Sequence, residues 1–153
     1  LCLFSLNFLC FYSAAQYVPS GLVSVVFSLA TVFNAVNARL FFGDRVTGRT
    51  AGAGALGVIG LALLFGPEMS LGAMHETALG VGFAAAGTLL FSLGNMVSRR
   101  NGAHGLGPVT ANAWGMCYGA LALAGVIVLT GTPLVAPPDA TYLGAMLYLA
   151  VIG

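Results

Sequence analysis

Lysine is absent from this chain, and charged side chains of every kind make up only 6% of its 153 residues. A soluble domain carries about 25% charged residues, so there is too little polar surface to cover a water-soluble globule. The formal net charge of +1 offers no basic field, and no nucleic-acid partner is expected. Cysteine is scarce too. Cys2, Cys10 and Cys117 are odd in number, unclustered and set in apolar stretches. That argues against a disulfide framework or a thiolate metal site; they read as small buried hydrophobes.

Reactive groups are lacking where membrane chemistry would need them. No Asp, Glu, Lys or His falls deep in an apolar run. An intramembrane protease requires a buried Ser–His or Asp–Asp pair, and neither is present. His75 and His104 fall in loops on opposite sides of the layout below, so they cannot share a site. No phosphate loop or metal-ligand spacing occurs. The chain reads as a non-enzyme without a cofactor. If proton coupling operates, its relay is not a carboxylate in these spans.

What the sequence does have is length in its apolar runs, at a mean hydropathy of +0.98. They are Leu1–Val18, Ser20–Phe42, Arg49–Phe65, Thr77–Ser98, Pro108–Leu129 and Thr141–Gly153. A bilayer is crossed by about 20 apolar helical residues, so about six crossings are expected, the last incomplete. The fold class is all-α, a multi-pass transmembrane helical bundle. Loops are expected at Gly43–Gly48, Gly66–Glu76, Arg99–Gly107 and Thr130–Ala140. A tight turn is expected at Tyr17-Val18-Pro19-Ser20-Gly21, because Pro19 disfavours helix at Val18 and Ser20 can cap the next helix. Both ends lie inside apolar runs, without a basic leader, and the expectation is a piece of a longer protein.

Every arginine falls on one side of this layout. Arg39, Arg45 and Arg49 flank the junction after the second run, and Arg99 and Arg100 flank the one after the fourth. Glu68, Glu76 and Asp139 fall on the other side; only Asp44 joins the arginines. The positive-inside rule makes the arginine-bearing loops 43–48 and 99–107 cytoplasmic.

Glycine is plentiful, at 22 residues, and in lipid it lets helix backbones approach closely. Three small-residue seams are read: Ala53, Gly57 and Gly60; Gly80, Ala84 and Gly87; and Asn112, Gly115, Gly119 and Ala122.

Polar residues supply the candidate site. Ser20, Ser24, Ser28, Thr31 and Asn34 form one stripe at helical spacing on the second run. Such a stripe faces protein or a wet cavity. It reads either as a cavity wall for a solute or as packing with hydroxyls bonded back to their own helix. Asn34 is the residue whose amide is hardest to satisfy locally. In the first run Ser5, Tyr12 and Gln16 are read on one face, and Asn7, Cys10, Ala14 and Tyr17 on another. Thr88, Phe91 and Asn95 lie near the seam of the fourth run. Trp114 and Tyr118, one turn apart, read as an aromatic wall or as packing. The tentative substrate-binding set is Asn7, Tyr12, Gln16, Ser24, Ser28, Thr31, Asn34 and Tyr118.

One stretch is more specific. It runs Tyr17-Val18-Pro19-Ser20-Gly21-Leu22-Val23, an apolar helix to Asn34, then Arg39-Leu40-Phe41-Phe42-Gly43-Asp44-Arg45-Val46-Thr47. A glycine-rich helix from Gly52 to Leu64 and Gly66-Pro67-Glu68 follow. This pattern resembles the EamA-type branch of the drug/metabolite transporter superfamily, with Asp44 where that family more often has Glu. The resemblance implies ten helices in two inverted five-helix repeats. Residues 1–68 would then be the last three helices of the first repeat, and 69–153 the first helices of the second. It also implies a carrier of small metabolites, amino-acid-like or drug-like, working by alternating access in a bacterial plasma (inner) membrane. The partners expected are a small-molecule solute and the lipid bilayer, with a homodimer left open. The alternative is a non-transporting multi-pass scaffold or assembly subunit, which would have a fully packed bundle and no wet cavity.

Overall fold

The computed structural model describes residues 2–69, 74–131, 133 and 139–151. Among them every regular element is helical. A π-helical turn, Cys2–Leu6, leads into α1 (Asn7–Ala14); then come α2 (Ser20–Ser28), α3 (Ala30–Phe42), α4 (Gly48–Met69), α5 (Met74–Ala103), α6 (Pro108–Thr130) and α7 (Ala140–Val151). Three stretches are long and apolar enough to cross a bilayer: Ser20–Phe42, His75–Ala103 and Pro108–Thr130. Helix α4 has 22 residues, about 33 Å at about 1.5 Å per residue. Cys2–Ala14 and Ala140–Leu149 are shorter apolar helices.

The chain forms two compact units, Leu1–Leu123 and Ala124–Gly153. In the first, α5 is the central helix, packed against α1, α2, α3, α4 and the π-helical turn. Ala14, Val18, Leu22, Val26 and Ala84 form a buried apolar cluster in this unit. Large apolar side chains such as Leu40, Leu56 and Leu63 are more than 70% exposed. That is the surface a bilayer covers and water does not. In the second unit, the Asp139 carboxylate accepts the Tyr142 backbone N–H at 2.7 Å, capping α7.

Glycine sets how close α5 can come to its neighbours. A Cβ at Gly80 would stand 2.6 Å from Val18 Cγ1, one at Gly87 3.1 Å from the Asn7 carbonyl oxygen, and one at Gly94 2.7 Å from Leu3 Cβ. These positions recur every seven residues, so one stripe of α5 meets the whole length of the first helical segment. The fourth-run seam is therefore real and extends to Gly94. On α6, Gly115 and Gly119 are both filled by Phe4. On α4 the contact shifts by a residue: Gly54 and Gly57 meet Val32 and Leu29, while Gly60 has nothing within 4 Å and Ala53 is exposed.

Polar side chains tie α3 to α5. Asn37 Nδ2 donates to Ser92 Oγ at 2.8 Å, buried, and Asn95 Nδ2 donates to Asn34 Oδ1 at 3.3 Å. Neither Asn37 nor Ser92 stood out in the sequence. Thr88, fully buried, bonds back to the Ala84 carbonyl at 2.7 Å.

Several boundaries differ from the sequence expectation. The turn after α1 is present, but Ser20 is the first residue of α2 and does not cap it; Pro19 takes the cap position at φ −57°, ψ 146°. The second run is broken at Leu29, where ψ is −4° and the Ser28 hydroxyl bonds back to the Val25 carbonyl at 2.6 Å. Back-bonding of this kind bends helices. Gly66–Met69 continue α4 rather than starting a loop, and His75 and Glu76 lie in the first turn of α5. Pro137 and Pro138 lie outside the described residues. Cys2 and Cys10 are half-buried and Cys117 is exposed, so the three are not buried hydrophobes.

The Arg99–Gly107 loop is shorter than expected, since α5 runs through Ala103. The stop is a Schellman motif. Leu106 N–H bonds to Asn101 O, Gly105 N–H bonds to Gly102 O, and Gly105 takes φ 84°, which a side chain would disfavour. Gly43, at φ 72°, ends α3 in the same left-handed region.

Candidate functional site

The first unit contains a cavity of about 740 Å³. Its walls come from the π-helical turn and α1, from α2, from the second half of α5, and from Asn112 of α6. The chain turns back at Pro19 so that Phe27 of α2 reaches Phe11 of α1, and the glycine stripe draws α5 against the first helical segment. The apolar wall is aromatic. Phe11 and Phe27 meet edge to face at 5.4 Å between ring centroids, Phe27 and Phe91 at 4.9 Å, and Phe8 stacks on Tyr12 at 6.5 Å. All five rings line the cavity.

The polar wall holds one unusual group. Asn7 is 2% exposed, lines the cavity, and its side-chain oxygen has no hydrogen-bond partner. A buried acceptor left unpaired costs about 1–3 kcal/mol. A ligand donor would recover that cost. Ser20 and Ser24 also line the cavity; the Ser24 hydroxyl donates to the Ser20 carbonyl at 3.1 Å, leaving its lone pairs as acceptors. Asn95, Ser98 and Asn112 complete the polar lining.

Of the tentative substrate-binding set, Asn7, Tyr12 and Ser24 come together on this wall, joined by Ser20, Phe91 and Asn95, which the sequence also singled out. The other members of that set are placed elsewhere. Gln16 is exposed in the turn after α1. Ser28 bonds to its own helix beside the Leu29 break. Thr31 is exposed on α3. Asn34 is engaged with Asn95. Tyr118 stacks on Trp114 at 5.8 Å, both more than half exposed. Tyr17 stacks on Phe83 at 6.1 Å.

The two-face reading of the first run holds within α1, where Asn7 and Ala14 are both buried, and fails across the π-helical turn. Ser5 is 1% exposed and Tyr12 71%. A π turn inserts one residue into the helical register, so Ser5 leaves the Tyr12 face. Missed lining residues are Asn112, Ser98 and Phe27. Asn112 stood in a small-residue seam and was read for packing alone.

At the arginine-bearing end, Arg99 grips Asp44 with both guanidinium nitrogens, at 2.6 and 3.3 Å. Its guanidinium carbon sits 4.3 Å from the Phe42 ring centroid. Asp44 thus pairs across helices rather than with adjacent Arg45, and the junctions after α3 and α5 share one face. Arg99 holds the Asp44 carboxyl below its usual range, chiefly through the hydrogen bond. A lowered folded-state value means the clasp stabilises fully above the unfolded carboxylate range, about 3.9, and is lost as pH falls through the lowered value. In a thermal-stability profile against pH, Asp44→Asn should remove that acid-side step by lowering the neutral plateau by the step's own small amplitude, leaving the acid limb unchanged. Both partners are about half exposed, where an ion pair contributes little.

A helical bundle with bilayer-length apolar helices, small-residue seams and an exposed apolar surface is a multi-pass membrane protein. Residues 1–66 match the model of the EamA-like transporter family. The resemblance read from Tyr17 onward therefore holds as far as Gly66, and the matched residues include those of α1 and α2 that bear Asn7, Tyr12 and Ser24. No curated protein and no solved structure matches the chain.

Proposed function

We propose that this protein is a carrier of small solutes, and that the solute occupies the cavity between α1, α2 and α5. The observation that carries the reading is the buried, unpaired side-chain oxygen of Asn7 on the wall of a roomy cavity. A scaffold has no use for an unsatisfied acceptor; a binding site does. The family match supplies the transporter class. In this reading residues 1–68 close the first repeat, residues 69–153 open the second, and the repeats rock about the cavity by alternating access. The protein lies in a bacterial inner membrane with loops 43–48 and 99–107 in the cytoplasm, on the arginine distribution.

The test is solute flux through the full-length protein in proteoliposomes. Ser24→Ala and Tyr12→Leu, on the wall, are expected to weaken apparent solute affinity several-fold. Tyr118→Leu, off the wall, is expected to leave it unchanged. Equal effects at all three positions would sink the cavity as the solute site.

A further inference from the structure

We infer that the solute is uncharged, carries an aromatic ring and presents a hydrogen-bond donor: a neutral aromatic amide, alcohol or NH-heterocycle rather than an amino acid, an organic anion or an organic cation. This rests on the carrier reading and narrows it. Among the described residues lining the cavity there is no Arg, Lys, His, Asp or Glu. The nearest ion pair, Asp44 with Arg99, is already made and lies outside the lining. A carboxylate entering this cavity would leave water without a cationic partner, and an ammonium group would find no carboxylate. Burying a charge unpaired is far more costly than burying a paired amide. A zwitterion meets both costs.

What the wall offers instead is specific. Phe11, Phe27 and Phe91 form a continuous edge-to-face run across α1, α2 and α5, which presents both ring faces and ring edges to a further aromatic group. Beside them stands one buried acceptor without a partner, among neutral Ser, Asn and Tyr side chains. Asn7 Oδ1 is unpaired, and the Ser24 proton is already committed to the Ser20 carbonyl. The volume of about 740 Å³ is within the range of pockets that enclose drug-sized ligands, about 300–1,000 Å³. A flat ring with one N–H or O–H therefore satisfies the ring wall and the orphan acceptor together.

The experiment uses one ring system and varies only charge and donor. Equilibrium binding to the purified full-length protein is measured for indole-3-acetamide, its N,N-dimethyl amide methylated also at the ring nitrogen, indole-3-acetate, tryptamine and tryptophan. Indole-3-acetamide is expected to bind at least tenfold more tightly than each of the others. In Asn7→Leu its advantage over the fully methylated amide is expected to shrink severalfold, while the weak binding of that donor-free probe persists. Tighter binding of tryptophan, indole-3-acetate or tryptamine, or no binding of any probe, would overturn the inference. Flux in proteoliposomes separates this from the carrier reading. Flux of a charged solute that is lost on cavity substitution keeps the carrier and rejects the solute class; tight amide binding with no flux of any probe keeps the class and rejects the carrier.

Discussion

Replacing Gly87 by leucine is expected to destabilise the folded helical core severely, while replacing Gly82 by leucine on the same helix is expected to be tolerated. The difference follows from what a side chain would meet. At Gly87 a first carbon already stands 2.9 Å from Phe11 Cε1 and 3.1 Å from both the Asn7 carbonyl oxygen and Cys10 Cβ. The ring can swing, but the carbonyl belongs to α1's backbone and cannot yield without moving the helix. At Gly82 nothing lies within 4 Å. Overpacking typically costs about 1–3 kcal/mol, and leucine at a backbone contact sits at the top of that range. Lipid offers no compensating hydrophobic drive between helices, because the acyl chains are as apolar as the side chains; close packing and hydrogen bonds hold the bundle. Detergent-solubilised full-length protein, followed by thermal unfolding, should show a large drop in midpoint for Gly87→Leu and little change for Gly82→Leu. Similar midpoints for the two would mean that α5 does not pack on α1 through its glycine stripe.

Replacing Asn7 by leucine should act in the opposite sense on stability and function. The two side chains are close in shape, so the apolar one fills the same space. Its substitution removes an acceptor that is buried without a partner, a liability of about 1–3 kcal/mol. Stability is expected to be unchanged or higher. Solute flux is expected to fall by tenfold or more, since one hydrogen bond to a buried neutral group is worth about that factor. A stabilised, inactive variant is the signature of a residue kept for function at the expense of stability. A destabilised variant with normal flux would show that Asn7 has a packing role.

Three of the about six expected crossings (Ser20–Phe42, His75–Ala103 and Pro108–Thr130), the turn at Pro19 and the common face of the arginines were legible because each depends on local chemistry. Long apolar runs, a proline that blocks helix before it, and charges that stop a span all act within a few residues. The glycine stripe was legible in part, since Gly80, Ala84 and Gly87 share a helical face, but its continuation to Gly94 depends on where Leu3 lies. The break at Leu29 and the π-helical turn were not legible. Both are shifts of register within uniformly apolar sequence, where one extra residue leaves no mark in composition. That hidden shift separated Ser5 from Tyr12. The partner of Asp44 was hidden for another reason. Arg45 is adjacent in sequence, while Arg99 is 55 residues away and reaches it only once α5 lies beside α3.

The polar stripe of the second run divides along the same line. Its members share a spacing, yet the bend at Leu29 parts Ser20 and Ser24, on the cavity, from Thr31 and Asn34 beyond it. Asn34 was singled out because its amide is hard to satisfy alone, and Asn95 satisfies it. Asn7 was one polar residue among several in the sequence. Only burial without a partner sets it apart, and burial is a property of the packed molecule.

The central claim is that a water-accessible, solute-holding cavity lies between α1, α2 and α5. Its most direct test is cysteine accessibility in the full-length protein in membranes, after replacement of the native cysteines, including Cys2, Cys10 and Cys117. Single cysteines at Val23 and Ser24, on the cavity wall, should react rapidly with a membrane-impermeant thiol reagent and be protected by solute. A cysteine at Val25, on the exposed apolar face, should stay unreactive. Reaction at Val25 with none at Val23 or Ser24, or uniform silence at all three, would contradict it.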